Sequence, residues 1–346
     1  MKKVYLGLLL VLILGLTACS GNDSAGNEGN GDGNGNGGGD KESYELKFGM
    51  QPSTAQNEYK AAEVLAEYVK NESDGRLTID LYPDAQLGDD RAMLEQVQSN
   101  KLDITLAETG RFGIWVPRAE LLGLPYIVDD FDHLKRVIQE TEYGKNLHKE
   151  LENEYNWKVM GVAYNGTRQT TSNRPIKSLD DMEGLKLRVP EADTLLDYAE
   201  YTGASPTPMA FSEVYTALET NAVDGEENPL STIDAQKFYE VQDYLAMTNH
   251  VVNDNSYVVS AKMYESLPDD LQTILQEGID KAVKKHTNMF KKEEEELISK
   301  FKEEGMTVTK PDLEPFREAV SDAYPEYMKD IEGDAEKYMQ QIEDAR

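Results

Sequence analysis

The chain has 346 residues, a single cysteine and a formal charge of −30 at pH 7, from 65 acidic and 35 basic side chains. So large an acidic excess repels nucleic acid and anionic lipid headgroups, and no nucleic-acid partner is expected. One cysteine excludes an intrachain disulfide, and the length suffices for two lobes that each bury a core.

Lys2 and Lys3 precede Val4 to Ala18, an almost wholly apolar run. It has the length of a signal peptide and is short for a membrane span. The run ends in Leu16-Thr17-Ala18-Cys19, which resembles a bacterial lipobox. In that reading residues 1–18 are a cleaved signal, and Cys19 is acylated and anchors the protein to the outer face of the cell membrane. The alternative is an ordinary signal with an incidental cysteine. Gly21 to Gly39 is mostly Gly and Asn and cannot bury apolar surface. Residues 19–43 therefore read as a lipidated cysteine and a flexible tether, spanning about 25–30 Å as a random coil.

Tyr44, Leu46, Phe48 and Met50 alternate with polar residues, as in a strand. Ala61, Leu65, Tyr68 and Val69 recur at helical spacing over 57–70, with Gly75 beyond the end as a stop. Leu77, Ile79 and Leu81 alternate again, 91–100 reads as a helix, and 104–107 as a buried strand. This β-α-β-α-β order predicts a mostly parallel sheet with helices on its faces. A second unit begins near Gly166. Its strand 185–189 is closed by Pro190 and followed by a helix through about Tyr201; a further helix spans 211–221, with Ser212 as its N-cap. Residues 251–260 form a strand that crosses between lobes, and 267–304 a long charged helix with Leu271, Leu275, Ile279, Ala282 and Val283 on one face. The element order gives an α/β fold class.

Enzyme signatures are missing. His133, His148, His250 and His286 are isolated in sequence, and no nucleophile elbow, P-loop or dinucleotide fingerprint occurs. Asp224-Gly225-Glu226-Glu227 lacks the alternating spacing of a calcium loop. No catalytic residue, metal ligand or cofactor is expected. Two arginines stand out instead. Arg168 lies in Asn165-Gly-Thr-Arg-Gln-Thr-Thr, and Arg188 sits inside the apolar strand Leu185-Lys-Leu-Arg-Val. A guanidinium in a core strand is costly unless it meets an anion. That anion is either a ligand carboxylate or a carboxylate of the protein, and residue chemistry alone leaves both open.

Four segments carry a specific resemblance: 165–174 (NGTRQTTSNR), 184–190 (GLKLRVP), 204–215 (ASPTPMAFSEVY) and 223–230 (VDGEENPL). With 86–91 (QLGDDR) and 237–242 (KFYEVQ), they resemble the DctP-type extracytoplasmic binding proteins of TRAP transporters, and most of all the sialic-acid-binding branch. The resemblance runs from about Tyr44 almost to the C-terminus. It implies a two-lobed fold of the class II periplasmic-binding-protein kind, with a hinge and a ligand cleft between lobe 1 (44–165 plus about 254–293) and lobe 2 (166–253 plus about 294–346). The same resemblance implies a receptor that closes on a small organic anion and delivers it to TRAP membrane permease subunits, without ATP. By position, Arg188 becomes the main clamp on the ligand carboxylate, Arg168 assists, Asn228 hydrogen-bonds the same group, and Phe211 packs on the ligand body. Asp90, Glu108 and Arg111 match positions at the distal, hydroxyl-bearing end.

Gln51 and Glu191 stand where that branch has Asn, and Asn255 where it has Gln. These departures leave the clamp whole and alter the polyol end, so sialic acid and a hexuronate or other sugar acid are comparable candidates. A C4-dicarboxylate is less well matched, because its second charge faces Glu108 and Asp90. The competing readings are a surface enzyme acting on acidic sugars and the binding protein of an ATP-driven importer. Turnover assays separate the first from a receptor, and neighbouring genes for two TRAP membrane subunits the second.

Overall fold

Leu46 and Phe48 turn inward from the first strand while Glu45 and Lys47 face water, and this alternation fixes which face of the sheet meets the helices. The computed structural model describes residues 42–346 other than Glu191, Asp330 and Glu332. The expected signal at 1–18, the expected lipidation site Cys19, most of the expected tether and the candidate Glu191 lie outside the described residues.

The first half runs β1 (Tyr44–Gly49), α1 (Asn57–Glu72), β2 (Leu77–Tyr82), α2 (Asp90–Gln98), β3 (Ile104–Ala107), α3 (Phe131–Glu140), α4 (Glu142–Tyr155) and the long β4 (Trp157–Ser172). The second runs β5 (Lys186–Val189), α5 (Asp193–Tyr201), β6 (Ser205–Pro208), α6 (Val214–Glu219), β7 (Gly225–Pro229), α7 (Leu230–Ala235) and the long β8 (Tyr244–Ser260). Then come α8 (Ala261–Ser266), the 35-residue α9 (Asp269–Glu303), β9 (Thr307–Thr309), α10 (Glu314–Ser321), α11 (Tyr324–Met328) and α12 (Ala335–Asp344).

All strands join one sheet in the order β2-β1-β3-β8-β4-β7-β5-β6, with β9 on β8. Two parallel triplets, β2-β1-β3 and β6-β5-β7, flank the antiparallel pair β8–β4. Each triplet has its first strand in the middle, so chain direction reverses beside it. In such sheets ligands bind outside the carboxyl ends of the strands at that switch. Those ends are Gly49, Ala107, Val189 and Pro229, and every candidate near them is brought to the middle of the molecule.

The crossing strands are longer than the sequence suggests, because β4 and β8 pair along nearly their whole lengths. Their register slips between Tyr164 and Thr167, where Gly166 takes φ +96°, a conformation only glycine adopts cheaply. Gly166, where a second unit is expected to begin, thus lies inside a continuous strand. The 211–221 helix is corrected too: a 3-10 turn over Phe211–Glu213 precedes α6, whose N-cap position is Glu213 without a side-chain cap, so Ser212 caps nothing. α9 packs on α1 at Gly278, where a Cβ would come within 2.8 Å of Leu65 Cδ1.

One core joins Leu46, Phe48 and Leu65 with Leu275 and Ile279, and another joins Leu187 and Tyr198 with Phe316 and Val320. The segment 294–346, expected with the second lobe, divides its packing. Phe316 lies in that second core, whereas Ile331 and Ile342 are buried with Leu134, Leu147 and Trp157.

Candidate functional site

The strand ends enclose a cleft of about 650 Å³, the size range of small-molecule sites. Gln51, Asp90, Glu108 and Arg111 form one side, Asn165, Arg168 and 251–255 the floor, and Pro190, Ala192, Thr194 and Leu195 the other side. Of the candidates, Gln51, Asp90, Glu108, Arg111, Arg168 and Asn255 line it directly. Arg188, Asn228 and Phe211 do not. Arg188 lies two residues ahead of the lining residue Pro190, and Asn228 is buried beside Arg168. Phe211 is 44% exposed, with the Arg188 guanidinium 5.8 Å from its ring centre.

The two arginines have different partners. Arg168 Nε donates to Glu227 Oε2 at 2.5 Å and Nη2 donates to Glu227 Oε1 at 2.8 Å, a bidentate pair. Nη2 also reaches the Glu227 carbonyl at 2.9 Å and Asn228 Oδ1 at 3.2 Å. Burial alone lowers the Arg168 pKa, but Glu227 outweighs it and the net shift is upward. Burial likewise pushes Glu227 up, and Arg168 together with the His250 bond brings its carboxyl below the usual range. His250 Nε2 lies 3.0 Å from Glu227 Oε2, its Nδ1 3.0 Å from Thr248 Oγ1, and its ring stacks on Tyr198 at 4.0 Å. Burial depresses its pKa, so it is neutral.

Arg188 is 3% exposed and donates through Nη2 to the Met209 carbonyl at 2.9 Å. Its Nε is buried without a hydrogen-bond partner, and it forms no ion pair among the described residues. Burial lowers its pKa against the opposing pull of Glu227 and Glu226. The cation is therefore desolvated without a bonded carboxylate. Asn228 is committed on both ends, since its Nδ2 donates to Glu226 Oε2 at 2.7 Å.

Asp90 and Arg111 pair with each other, Nε to Oδ2 at 2.5 Å. Glu108 accepts from Asn253 Nδ2 at 3.2 Å, and burial raises its pKa despite Arg168 and Arg111. The sequence reading missed other lining acceptors. Asp254 is buried, takes bonds from Thr109 N at 3.0 Å and Thr109 Oγ1 at 2.6 Å, and is pushed up to about 7 by burial. Glu58, at the start of α1, has a buried Oε2 without a partner and is also pushed up to about 7 by burial. Glu226, Glu227 and His250 were missed as well, because their meeting depends on strand pairing across 23 to 59 positions. Only the adjacency of Asn228 to Glu226-Glu227 hinted at it. Chemically, the cleft is lined by many oxygen acceptors, and Arg188, a buried cation with no ion pair among the described residues, stands two residues before its lining residue Pro190.

The sequence model of the bacterial extracellular solute-binding proteins, family 7 (DctP), matches residues 48–330. The sialic acid-binding periplasmic protein SiaP of Vibrio cholerae is 52% identical over 286 residues, covering 83% of this chain and 89% of that protein. Among solved structures, the sugar acid binding protein DctPAm of Advenella mimigardefordensis, in complex with galactonate, superposes with a TM-score of 0.74. It is 28% identical, over 89% of this chain and 100% of that one. A TRAP periplasmic solute binding protein of Roseobacter denitrificans, with bound 3-deoxy-D-manno-oct-2-ulosonic acid, gives a TM-score of 0.74 at 29% identity, over 87% and 100% of the two chains.

Proposed function

Because the chain belongs to the DctP family, the extracytoplasmic solute receptors of TRAP transporters, we propose that it captures a sugar acid with one carboxylate, of the sialic acid or hexuronate kind. The observation that carries this is Arg188, a buried cation with no ion pair among the described residues and an unpartnered Nε. A buried guanidinium that Glu226 and Glu227 attract without bonding is costly, and a ligand carboxylate offsets that cost bidentately. Arg168 plays a different part: its charge is matched by Glu227, so it supports Asn228 and the floor of the cleft.

Gln51, Glu108, Asp254 and Asn255 then face the hydroxyl-bearing end, where acceptors suit hydroxyl donors and disfavour a second carboxylate. Phe211 lies under the Arg188 guanidinium and flanks the ligand body, and Glu191 is the residue after Pro190 in the sequence. The hinge lies where β4 and β8 cross, with 44–165 and about 254–293 in one lobe and 166–253 in the other. The lobes close on the ligand and present it to the permease. The lipobox-like segment ending at Cys19, with its Gly/Asn tether, supports a lipid anchor that keeps the receptor beside the membrane.

A thermal-shift screen over sialic acid, hexuronates, aldonates and C4-dicarboxylates tests the ligand class. A ligand at ~100 times its Kd adds about 2.7 kcal/mol, so sugar acids are expected to raise the midpoint and dicarboxylates to leave it nearly unmoved. The reverse ranking contradicts the proposal.

A further inference from the structure

Behind the clamp lies a carboxylate that neither lines the cleft nor forms an ion pair among the described residues. Glu226 is fully buried in β7. Its Oε2 accepts from Asn228 Nδ2 at 2.7 Å and its Oε1 accepts from Thr171 Oγ1 at 2.9 Å. It is the register partner of Arg188 on the neighbouring parallel strand, and its chain neighbour Glu227 holds Arg168.

The charges facing it can be summed element by element. β4 supplies Arg168, β5 Arg188 and β7 Glu227 itself, while His250 of β8 is neutral and Tyr198 of α5 is un-ionised. Asp224 turns away, accepting from Lys186 N and Asn173 Nδ2. Glu108, which also lines the cleft, is within electrostatic reach of Arg168. In net charge the two arginines are thus matched by Glu226 and Glu227 before any ligand arrives, although only Arg168 is bonded to a carboxylate. A ligand carboxylate on Arg188 leaves this buried cluster with an uncompensated negative charge, which a low-dielectric site resists.

We propose that ligand capture takes up one proton and that Glu226 receives it. This rests on the receptor reading above. The hydrogen bonds show where the proton goes. Oε2 faces an amide N–H that can only donate, whereas Oε1 faces a hydroxyl that can turn and accept. The proton therefore passes from solvent to Oε1, which becomes a donor to Thr171 Oγ1. The Asn228–Oε2 bond is untouched, and the amide keeps its orientation toward the clamp. Burial, with the neighbouring Glu227 adding to it, holds the Glu226 carboxyl at about 7, so it is ionised in mildly alkaline solution and ready to be protonated as an anion arrives.

Glu226→Gln tests this directly, because glutamine reproduces the protonated side chain with an oxygen for Asn228 and an N–H for Thr171. Wild type and variant are titrated calorimetrically with N-acetylneuraminate and galactonate at pH 6.5, 7.5 and 8.5, each in two buffers of different ionisation enthalpy. Wild-type affinity is expected to fall by up to tenfold per pH unit above about pH 7.5, with close to one proton taken up. Glu226→Gln is expected to lose both the slope and the uptake. No uptake in wild type, or the same slope in the variant because Glu108, Glu58 or Asp254 carries the proton, overturns the inference and leaves the receptor reading standing. If wild type binds neither acid at any pH, both fall.

Discussion

Arg168 and Glu227 form a bidentate pair, with Nη2 to Oε1 at 2.8 Å, and both side chains are withdrawn from water. This pair explains why one of two neighbouring arginines remains uncommitted. Breaking a buried pair by removing one partner costs about 3–5 kcal/mol, because the other charge is left stranded. Glu227→Gln is therefore expected to lower the unfolding free energy by about that much in urea denaturation. Adding Arg168→Met in the same chain should recover part of the loss. An unchanged midpoint for Glu227→Gln would show that the pair contributes nothing.

Burial lifts Glu58, Glu226 and Asp254 each to about 7, far above the ~4 of exposed carboxylates. Between about pH 4 and 7 the folded chain holds more protons than the unfolded one. Stability from these groups is thus fully present at low pH and declines as pH rises through that window. The thermal midpoint should be higher at pH 5 than at pH 8. Glu58→Gln removes one buried charge and should stabilise by on the order of 1–3 kcal/mol at pH 8, with little effect at pH 5. Destabilisation by Glu58→Gln at pH 8 contradicts this account.

Period-2 and period-3.6 patterns were enough to place β1, α1, β2 and α2, because each buries an apolar face, and β3 was legible as a short run buried throughout. β6 and β7 were not legible as strands. Ser-Pro-Thr-Pro looks like a loop, and it is tolerated because β6 is the sheet edge, where proline has no ladder bond to break. Gly-Glu-Glu-Asn-Pro looks solvated, yet it is buried throughout because Arg168, His250 and Thr171 satisfy its carboxylates. Arg188 was legible as a cation in an apolar strand. That Arg168 was the one with the protein carboxylate was not, since its partner lies 59 positions away.

In the proposed site, specificity at the polyol end is assigned to Glu191 and Gln51. A carboxylate accepts but cannot donate, so Glu191 favours a ligand hydroxyl over an acetamido oxygen. Glu191→Asn should move the ratio of dissociation constants toward sialic acid and away from a hexuronate. Each misplaced buried hydrogen bond is worth about 1–3 kcal/mol. Carboxylate affinity cancels in that ratio, and a change below about twofold, some 0.4 kcal/mol, means that Glu191 does not read the ligand.

If Cys19 carries acyl chains, Cys19→Ser should release the receptor from the membrane fraction or leave its signal uncleaved. Cell fractionation with mass spectrometry of the N-terminus distinguishes these outcomes. Unchanged membrane association with a cleaved signal contradicts the anchor.

The central claim is that Arg188 holds the ligand's carboxylate, and calorimetric titration of wild type, Arg188→Ala and Arg188→Lys with one sugar acid measures it most directly. Truncating one partner of a desolvated charge pair costs roughly 2–5 kcal/mol, or about 30- to several-thousand-fold in Kd. Arg188→Ala should lose that much affinity while keeping its circular dichroism. Arg188→Lys should regain only part, since an ammonium cannot make the bidentate pair. Near wild-type affinity in a folded Arg188→Ala would place the carboxylate elsewhere.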